Sequence, residues 1–278
     1  MSRIAQRFAE LRRAGRAAFI PFITAGDPDE ETSFAILECL PSAGADLIEL
    51  GVPFSDPMAD GPAIQASSLR ALEGGMTVDG VLRLVRRFRE KDLATPIILM
   101  GYFNPIHAHG VARFVKEAAA VGVDGLITVD LPPEEDDVLR SPANANGLDI
   151  IRLATPTTDK TRLGTVVNGA SGFLYYVSVA GVTGTKSYAE NELRSAVKRL
   201  KEEIRIPCAV GFGIKTPEQA SAVAGFADGA VVGSAIVTRI AEGVRNEKPN
   251  EVIVEDVVGF CRSLADSVHA VRTAVVIE

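Results

Sequence analysis

Two carboxylates give this sequence its first chemical signal. Glu49 lies inside the apolar run 46–53, one residue before the run turns into loop, and Asp60 follows eleven positions later, just ahead of Gly61-Pro62. A glutamate set among apolar neighbours has a raised pKa and can exchange protons near neutral pH, and a second carboxylate in a more polar setting can stay ionised. Each also has a structural explanation. Glu49 could be locked in an ion pair, Asp60 could cap the next helix, and Asp56 could be a turn residue. Gly51 removes a side chain next to Glu49, which favours ligand space at that point.

A second signal lies near the other end of the chain. Gly211-Phe212-Gly213 and Gly233-Ser234 each follow a short apolar run, and a helical pattern begins at Ser234. Glycines let the backbone approach an anion, and a helix start directs its positive end and free N–H groups at one. The segment 178–187 (SVAGVTGTKS) is small-residued and glycine-containing, and reads either as a lid over a site or as a surface loop. His107 and His109 form an H-x-H pair in a loop with no third ligand nearby in sequence, so no metal is assigned.

The elements that must position these residues alternate. Apolar runs predict strands at 18–23, 46–50, 96–101, 124–129, 148–153, 172–177, 206–210 and 228–232. Helical patterns lie between them at 30–43, 62–74, 77–91, 110–121, 133–146, 159–169, 190–202 and 216–225, and a further helix spans about 251–272. Strands apolar on both parities are covered on both faces, as in a parallel sheet, and eight strand–helix units can close on themselves. No Gly-x-Gly-x-x-Gly turn follows the first strand, which disfavours a doubly wound sheet. The expectation is a single-domain (β/α)8 barrel over residues 1–278, with its functional residues at the strand C-terminal ends. Ile4, Phe8 and Leu11 recur at helical spacing among arginines, predicting an N-terminal helix that caps the barrel rather than a removable leader. The arginines of 77–91 (Arg83, Arg86, Arg87 and Arg89) read as a solvated helix face.

Composition narrows the function. The chain has 278 residues, 47% of them hydrophobic, and a net charge of −7, which is a poor match for nucleic acid. No apolar run reaches membrane-spanning length. The three cysteines, Cys39, Cys208 and Cys261, are widely spaced in apolar settings, as expected for reduced thiols in a cytoplasm.

Taken together, the motifs PFITAGDPD (21–29), LIELGVPFSDPMADGPAIQ (47–65), GVTG (181–184), GFGIKTPEQ (211–219) and GSAIV (233–237) resemble those of the tryptophan synthase α subunits. The glycine loops alone would also suit another phosphate-binding barrel, such as a sugar-phosphate isomerase, but that chemistry has no need of the Glu49/Asp60 frame. The resemblance implies retro-aldol cleavage of indole-3-glycerol phosphate, with Glu49 moving protons and Asp60 accepting the indole N–H. It implies an indole pocket of Phe22, Met100, Tyr102, Thr128 and Tyr175. It places the phosphate at Gly184, Gly213, Gly233 and Ser234 beside Phe212, and gives Thr183 the task of positioning Asp60 from the lid. It also implies a β-subunit partner in an α2β2 assembly, docked through Pro53, Asp56, Pro57, Asn104 and Pro132. Pyridoxal phosphate would belong to that partner, leaving this chain without a cofactor. Two departures stand out: Val179 where some members carry arginine, and Val129 where proline is common.

Overall fold

The computed structural model describes residues 1–177, 186–211 and 213–271. The lid positions Val179, Thr183 and Gly184, the phosphate-loop residue Phe212, and the end of the predicted 251–272 helix lie outside the described residues.

The strands are β1 (Ala18–Thr24), β2 (Ile48–Gly51), β3 (Ile97–Gly101), β4 (Gly125–Thr128), β5 (Asp149–Ile150), β6 (Arg152–Ala154), β7 (Leu174–Val177), β8 (Cys208–Gly211) and β9 (Gly229–Val232). They form one sheet in the order β5-β4-β3-β2-β1-β9-β8-β7-β6. Every pairing is parallel. The two edge strands, β5 and β6, are neighbours in the chain with only Ile151 between them. They are the two halves of the single strand expected at 148–153: the first half pairs with β4, the second with β7. The sheet therefore curls into a nearly closed barrel, with its seam where the end of β4 diverges from β6.

The helices are α1 (Arg3–Arg13), α2 (Glu30–Cys39), α3 (Pro62–Glu73), α4 (Val78–Arg89), α5 (Phe103–His109), α6 (Val111–Val121), α7 (Asp137–Ala145), α8 (Lys160–Val167), α9 (Lys186–Glu203), α10 (Pro217–Ala224), α11 (Ser234–Arg245) and α12 (Asn250–Ala270). α5 corrects the expected loop around His107 and His109. It is seven residues long and carries Pro105 in its first turn, where a missing N–H costs nothing. α7 begins four residues later than expected, after a turn at 133–136 closed by the Glu135 N–H on the Pro132 carbonyl at 3.0 Å.

Two cores follow from strand alternation. Inside the barrel, Ile20, Leu47, Ile98, Ile127, Ile151, Phe173, Tyr175, Ala209 and Val231 pack together. Ile4, Phe8 and Leu11 of α1 plug the base of this inner core, with the Phe8 and Phe173 rings 5.6 Å apart. The larger core lies between the strands and the surrounding helices.

Three acids stitch the barrel base, two of them buried and the third, Asp228, half-exposed. The Asp46 carboxylate accepts the Phe19 N–H at 2.9 Å, Asp124 accepts the Ile97 N–H at 2.8 Å and Asp228 accepts the Cys208 N–H at 2.8 Å. Each is balanced by a cation: Arg16 on Asp46, Arg89 and Arg3 on Asp124, and Lys201 on Asp228. Arg89 departs from the expected solvated face of α4. It is buried and also donates to the carbonyls of Gly122, Asp92 and Thr95. Arg83 and Arg87 turn to Glu30 and Glu31 of α2, and Arg87 lies over the Phe34 ring at 3.9 Å.

Candidate active site

Glu49 belongs to the inner face of β2 because it alternates with Leu47, an inner-core residue. Its strand neighbours in register are Phe22 on β1 and Ile98 on β3. The side chain is fully buried, and neither carboxylate oxygen has a hydrogen-bond partner among the described residues. Burial pushes its pKa up from 4.5 to about 8. No described residue forms an ion pair with it, and at neutral pH it is a carboxylic acid in an apolar wall.

Asp60 has a different environment. α3 is capped by Gly61 with no side-chain bond, and Pro62 opens the helix, so Asp60 is free of the capping role. Its Oδ2 accepts a hydrogen bond from the Tyr102 hydroxyl at 3.1 Å, and that hydroxyl oxygen also accepts the Ala59 N–H at 2.9 Å. Burial raises the Asp60 carboxyl, while the Tyr102 hydrogen bond works the other way. Asp56 accepts from Ser55 at 2.5 Å, a local contact at the exposed turn of the same loop.

Phe22, Met100, Tyr102 and Asp60 line one small cavity, together with Val129 and Ile64. Glu49 sits two residues deeper than the wall residue Gly51 and does not line that cavity. The space expected beside Gly51 is filled: a Cβ there would fall 2.6 Å from the Phe22 ring. Tyr175 on β7 is buried, and burial raises its pKa, with the nearby charges of Glu49 and Asp60 adding to the shift.

Thr128 is misplaced by one residue in the expected pocket. Ile127 and Val129 face inward, which puts Thr128 on the outer side with Leu126. It lines a separate cavity of about 340 Å³ at the barrel seam, beside Asp136, Arg152 and Leu153. Strict alternation from Ile127 would have selected Val129 over Thr128.

On the other side of the mouth, β8 and β9 are adjacent and in parallel register up to Gly211 and Val231. Gly213 adopts a left-handed φ of +65°, and Gly233 is the N-cap of α11, with Ser234 exposed at its first position. A Cβ at Gly233 would come within 3.4 Å of Phe22, so the aromatic wall borders these loops too. The geometry offers a polar, helix-terminated end for an anion and an apolar, aromatic end with two unlike carboxylates.

A family description, Tryptophan synthase alpha chain, matches residues 8–269. The chain belongs to this family. It is accordingly an enzyme of tryptophan biosynthesis. The tryptophan synthase subunit alpha of Legionella pneumophila is 40% identical with a TM-score of 0.90, the match covering 98% of this chain and 100% of that one. A tryptophan synthase structure from Mycobacterium tuberculosis is 36% identical with a TM-score of 0.85, covering 97% of this chain and 99% of that chain.

Within this tryptophan synthase alpha chain fold, Asp56, Asn104 and Pro132 are exposed, Pro57 is half-buried and Pro53 is buried. Pro53 thus shapes the loop from inside. The H-x-H pair does not act as one chelate. His107 packs against Phe103, ring centroids 5.7 Å apart, while His109 points to Asp79 and Glu117. These three offer donor atoms within 4.8 Å of one another, a grouping the sequence hides because they come from α4, α5 and α6. Glu117 is engaged by His109 at 2.7 Å and by Arg113 at 2.9 Å, so these contacts tie α5 to α6. No helix among the described residues is long and apolar enough to cross a membrane.

Proposed function

We propose that the chain is the lyase component of tryptophan synthase, cleaving indole-3-glycerol phosphate to indole and glyceraldehyde 3-phosphate. The observation that carries this reading is Glu49, a fully buried carboxyl group just beneath the barrel mouth, without a hydrogen-bond partner among the described residues and with a pKa near 8. Protonated at neutral pH, it is matched to donate to indole C3 and, once ionised, to take the proton of the side-chain hydroxyl as the carbon–carbon bond breaks. The net result is a proton moved from oxygen to carbon, with the bonding pair passing to the ring and an aldehyde left behind. Positive charge develops at the indole nitrogen when C3 is protonated. Asp60 accepts the N–H and offsets that charge.

Phe22, Met100, Tyr102 and Tyr175 supply the walls for the indole ring in this reading. Gly184, Gly213, Gly233 and Ser234 receive the phosphate beside Phe212, and Thr183 approaches Asp60 from the lid. The indole passes to a β subunit in an α2β2 assembly, docked on the face bearing Asp56, Pro57, Asn104 and Pro132. Pyridoxal phosphate belongs to that subunit, not to this chain, and both work in the cytoplasm.

The test is indole release from indole-3-glycerol phosphate by the purified chain, with and without a β subunit. Glu49→Gln should lower it by about 10²–10⁴. Normal turnover in that variant would refute the assignment.

A further inference from the structure

Tyr102 stands one residue beyond the end of β3 and directly before α5, and is 4% exposed. Its ring packs on Phe54 with centroids 5.2 Å apart. If the residue were only an aromatic wall for a bound ring, its hydroxyl would have no task. Instead the oxygen has two partners on the loop between β2 and α3: it accepts from Ala59 N–H at 2.9 Å and faces Asp60 Oδ2 at 3.1 Å.

These two partners dictate where the phenol proton goes. The backbone amide can only donate, so it fills an acceptor position on the oxygen. The single O–H is left to point at Asp60, whose carboxylate can only accept when ionised. Such a bond to a charged acceptor is among the stronger ones available to a side chain. It engages one carboxylate oxygen and leaves the other for a second donor.

We propose that Tyr102 is a positioning residue for Asp60: its hydroxyl, oriented by the Ala59 N–H, fixes one carboxylate oxygen and presents the other to the indole N–H. This rests on the lyase reading above and deepens it. The same contact distinguishes the two acids, since Glu49 has no donor of this kind among the described residues. The hydroxyl also pins the β2–α3 loop to the end of β3.

Among the described residues Tyr102, from the end of β3, is the titratable group that acts on Asp60, while Tyr175, buried on β7, is itself raised by burial and by the charges of Glu49 on β2 and of Asp60. Tyr102 opposes the upward push of burial on Asp60, and its own pKa lies well above the ordinary phenol value.

Tyr102→Phe retains the ring and the Phe54 contact and removes only the hydroxyl. The decisive measurement is independent of turnover: the full chain carries carboxyl-¹³C aspartate, and the Asp60 resonance, assigned with Asp60→Asn, is titrated in wild type and variant. The Asp60 midpoint should rise by roughly one unit, the scale of one lost hydrogen bond. In the lyase assay kcat should fall roughly 10- to 100-fold, an effect on the scale of a misplaced catalytic group, with the acid limb moved to higher pH and KM changed less. An Asp60 midpoint that stays put in a folded Tyr102→Phe chain overturns the proposal. If that variant does not fold, 3-fluorotyrosine at position 102 replaces it; the more acidic phenol should lower the Asp60 midpoint, and no change overturns the proposal equally. A wild-type chain without lyase activity would instead overturn the functional reading, with the titration still deciding the Tyr102–Asp60 link.

Discussion

The ring edge of Phe22 occupies the space that a side chain on residue 51 would need, its Cζ 2.6 Å from the position of a Cβ built on Gly51. Two strands thus share one volume at the mouth, β1 supplying the ring and β2 the vacancy. Gly51→Ala forces the ring toward the cavity that Phe22 also lines. Overpacking of this kind costs about 1–3 kcal/mol. The variant should therefore show a lowered urea midpoint and a raised KM for indole-3-glycerol phosphate. An unchanged KM would mean that the Phe22 ring is not a wall of the substrate site.

Glu49 makes stability depend on pH in a predictable direction. Its folded pKa of about 8 lies above the ordinary 4.5. Below pH 4.5 both folded and unfolded chains hold the proton and nothing is lost. Between pH 4.5 and 8 the unfolded chain releases it and the folded chain does not, so stability falls at about 1.4 kcal/mol per pH unit. Above pH 8 the loss levels off. Glu49→Gln cannot ionise and should unfold at a higher temperature than wild type at pH 8, with the difference closing near pH 4.5. The buried amide also lacks partners, which reduces the gain to part of the full amount. Activity should move the other way, falling by about 10²–10⁴ with loss of the proton donor. Wild-type kcat/KM should decline above about pH 8, the point at which Glu49 loses its proton. Thermal melts across this range, alongside indole release, separate the two effects.

The alternation of strands and helices was legible because each strand is apolar on both parities while helices such as α4 keep a clear apolar stripe. What escaped depended on spatial partners. α5 is too short for its periodicity to show and contains a proline. Ile151 interrupts one expected strand because its two halves pair with different neighbours. At the site, Glu49 and Asp60 could be found from residue type and position. Their unlike settings were also read from their neighbours, but the group that fixes Asp60 was not, since the Tyr102 hydroxyl comes from forty-two residues further along the chain. Thr128 was lost to a shift of one residue on a period-two element, which exchanges inside for outside. Arg89 looked solvated beside three other arginines, because no sequence pattern announces the buried Asp124 that receives it.

That buried pair carries a stability prediction separate from catalysis. Arg89 Nη2 lies 2.7 Å from Asp124 Oδ2, and both side chains are buried at the barrel base. Arg89→Leu leaves Asp124 with the more exposed Arg3 as its remaining cation and frees three carbonyls. Removing one partner of a buried pair costs about 3–5 kcal/mol. In a chain of this size that corresponds to a Tm lower by roughly 10 °C. Below the transition kcat should stay close to wild type, because the mouth residues are untouched. A Tm within a degree of wild type would show that Asp124 does not need this cation.

Ser234 provides the converse case, a change that should harm binding without harming the fold. It is exposed at the first position of α11, directly after the Gly233 N-cap. Ser234→Asp puts a negative charge where the helix dipole welcomes one, worth about 0.3–1 kcal/mol, so the melting temperature should hold or rise slightly. The same charge would occupy and repel the site proposed for the substrate phosphate. KM for indole-3-glycerol phosphate should then rise at least roughly 10-fold, as for about 1.4 kcal/mol of lost binding. Ser234→Ala removes one hydroxyl and leaves the backbone N–H groups, so its effect should be only a few-fold. Inhibition by inorganic phosphate should weaken in the same order, Asp more than Ala, while affinity for free indole stays constant. If Ser234→Asp keeps both its KM and its phosphate inhibition, the phosphate is bound elsewhere and the pairing of the β8 and β9 loops has a purely structural purpose.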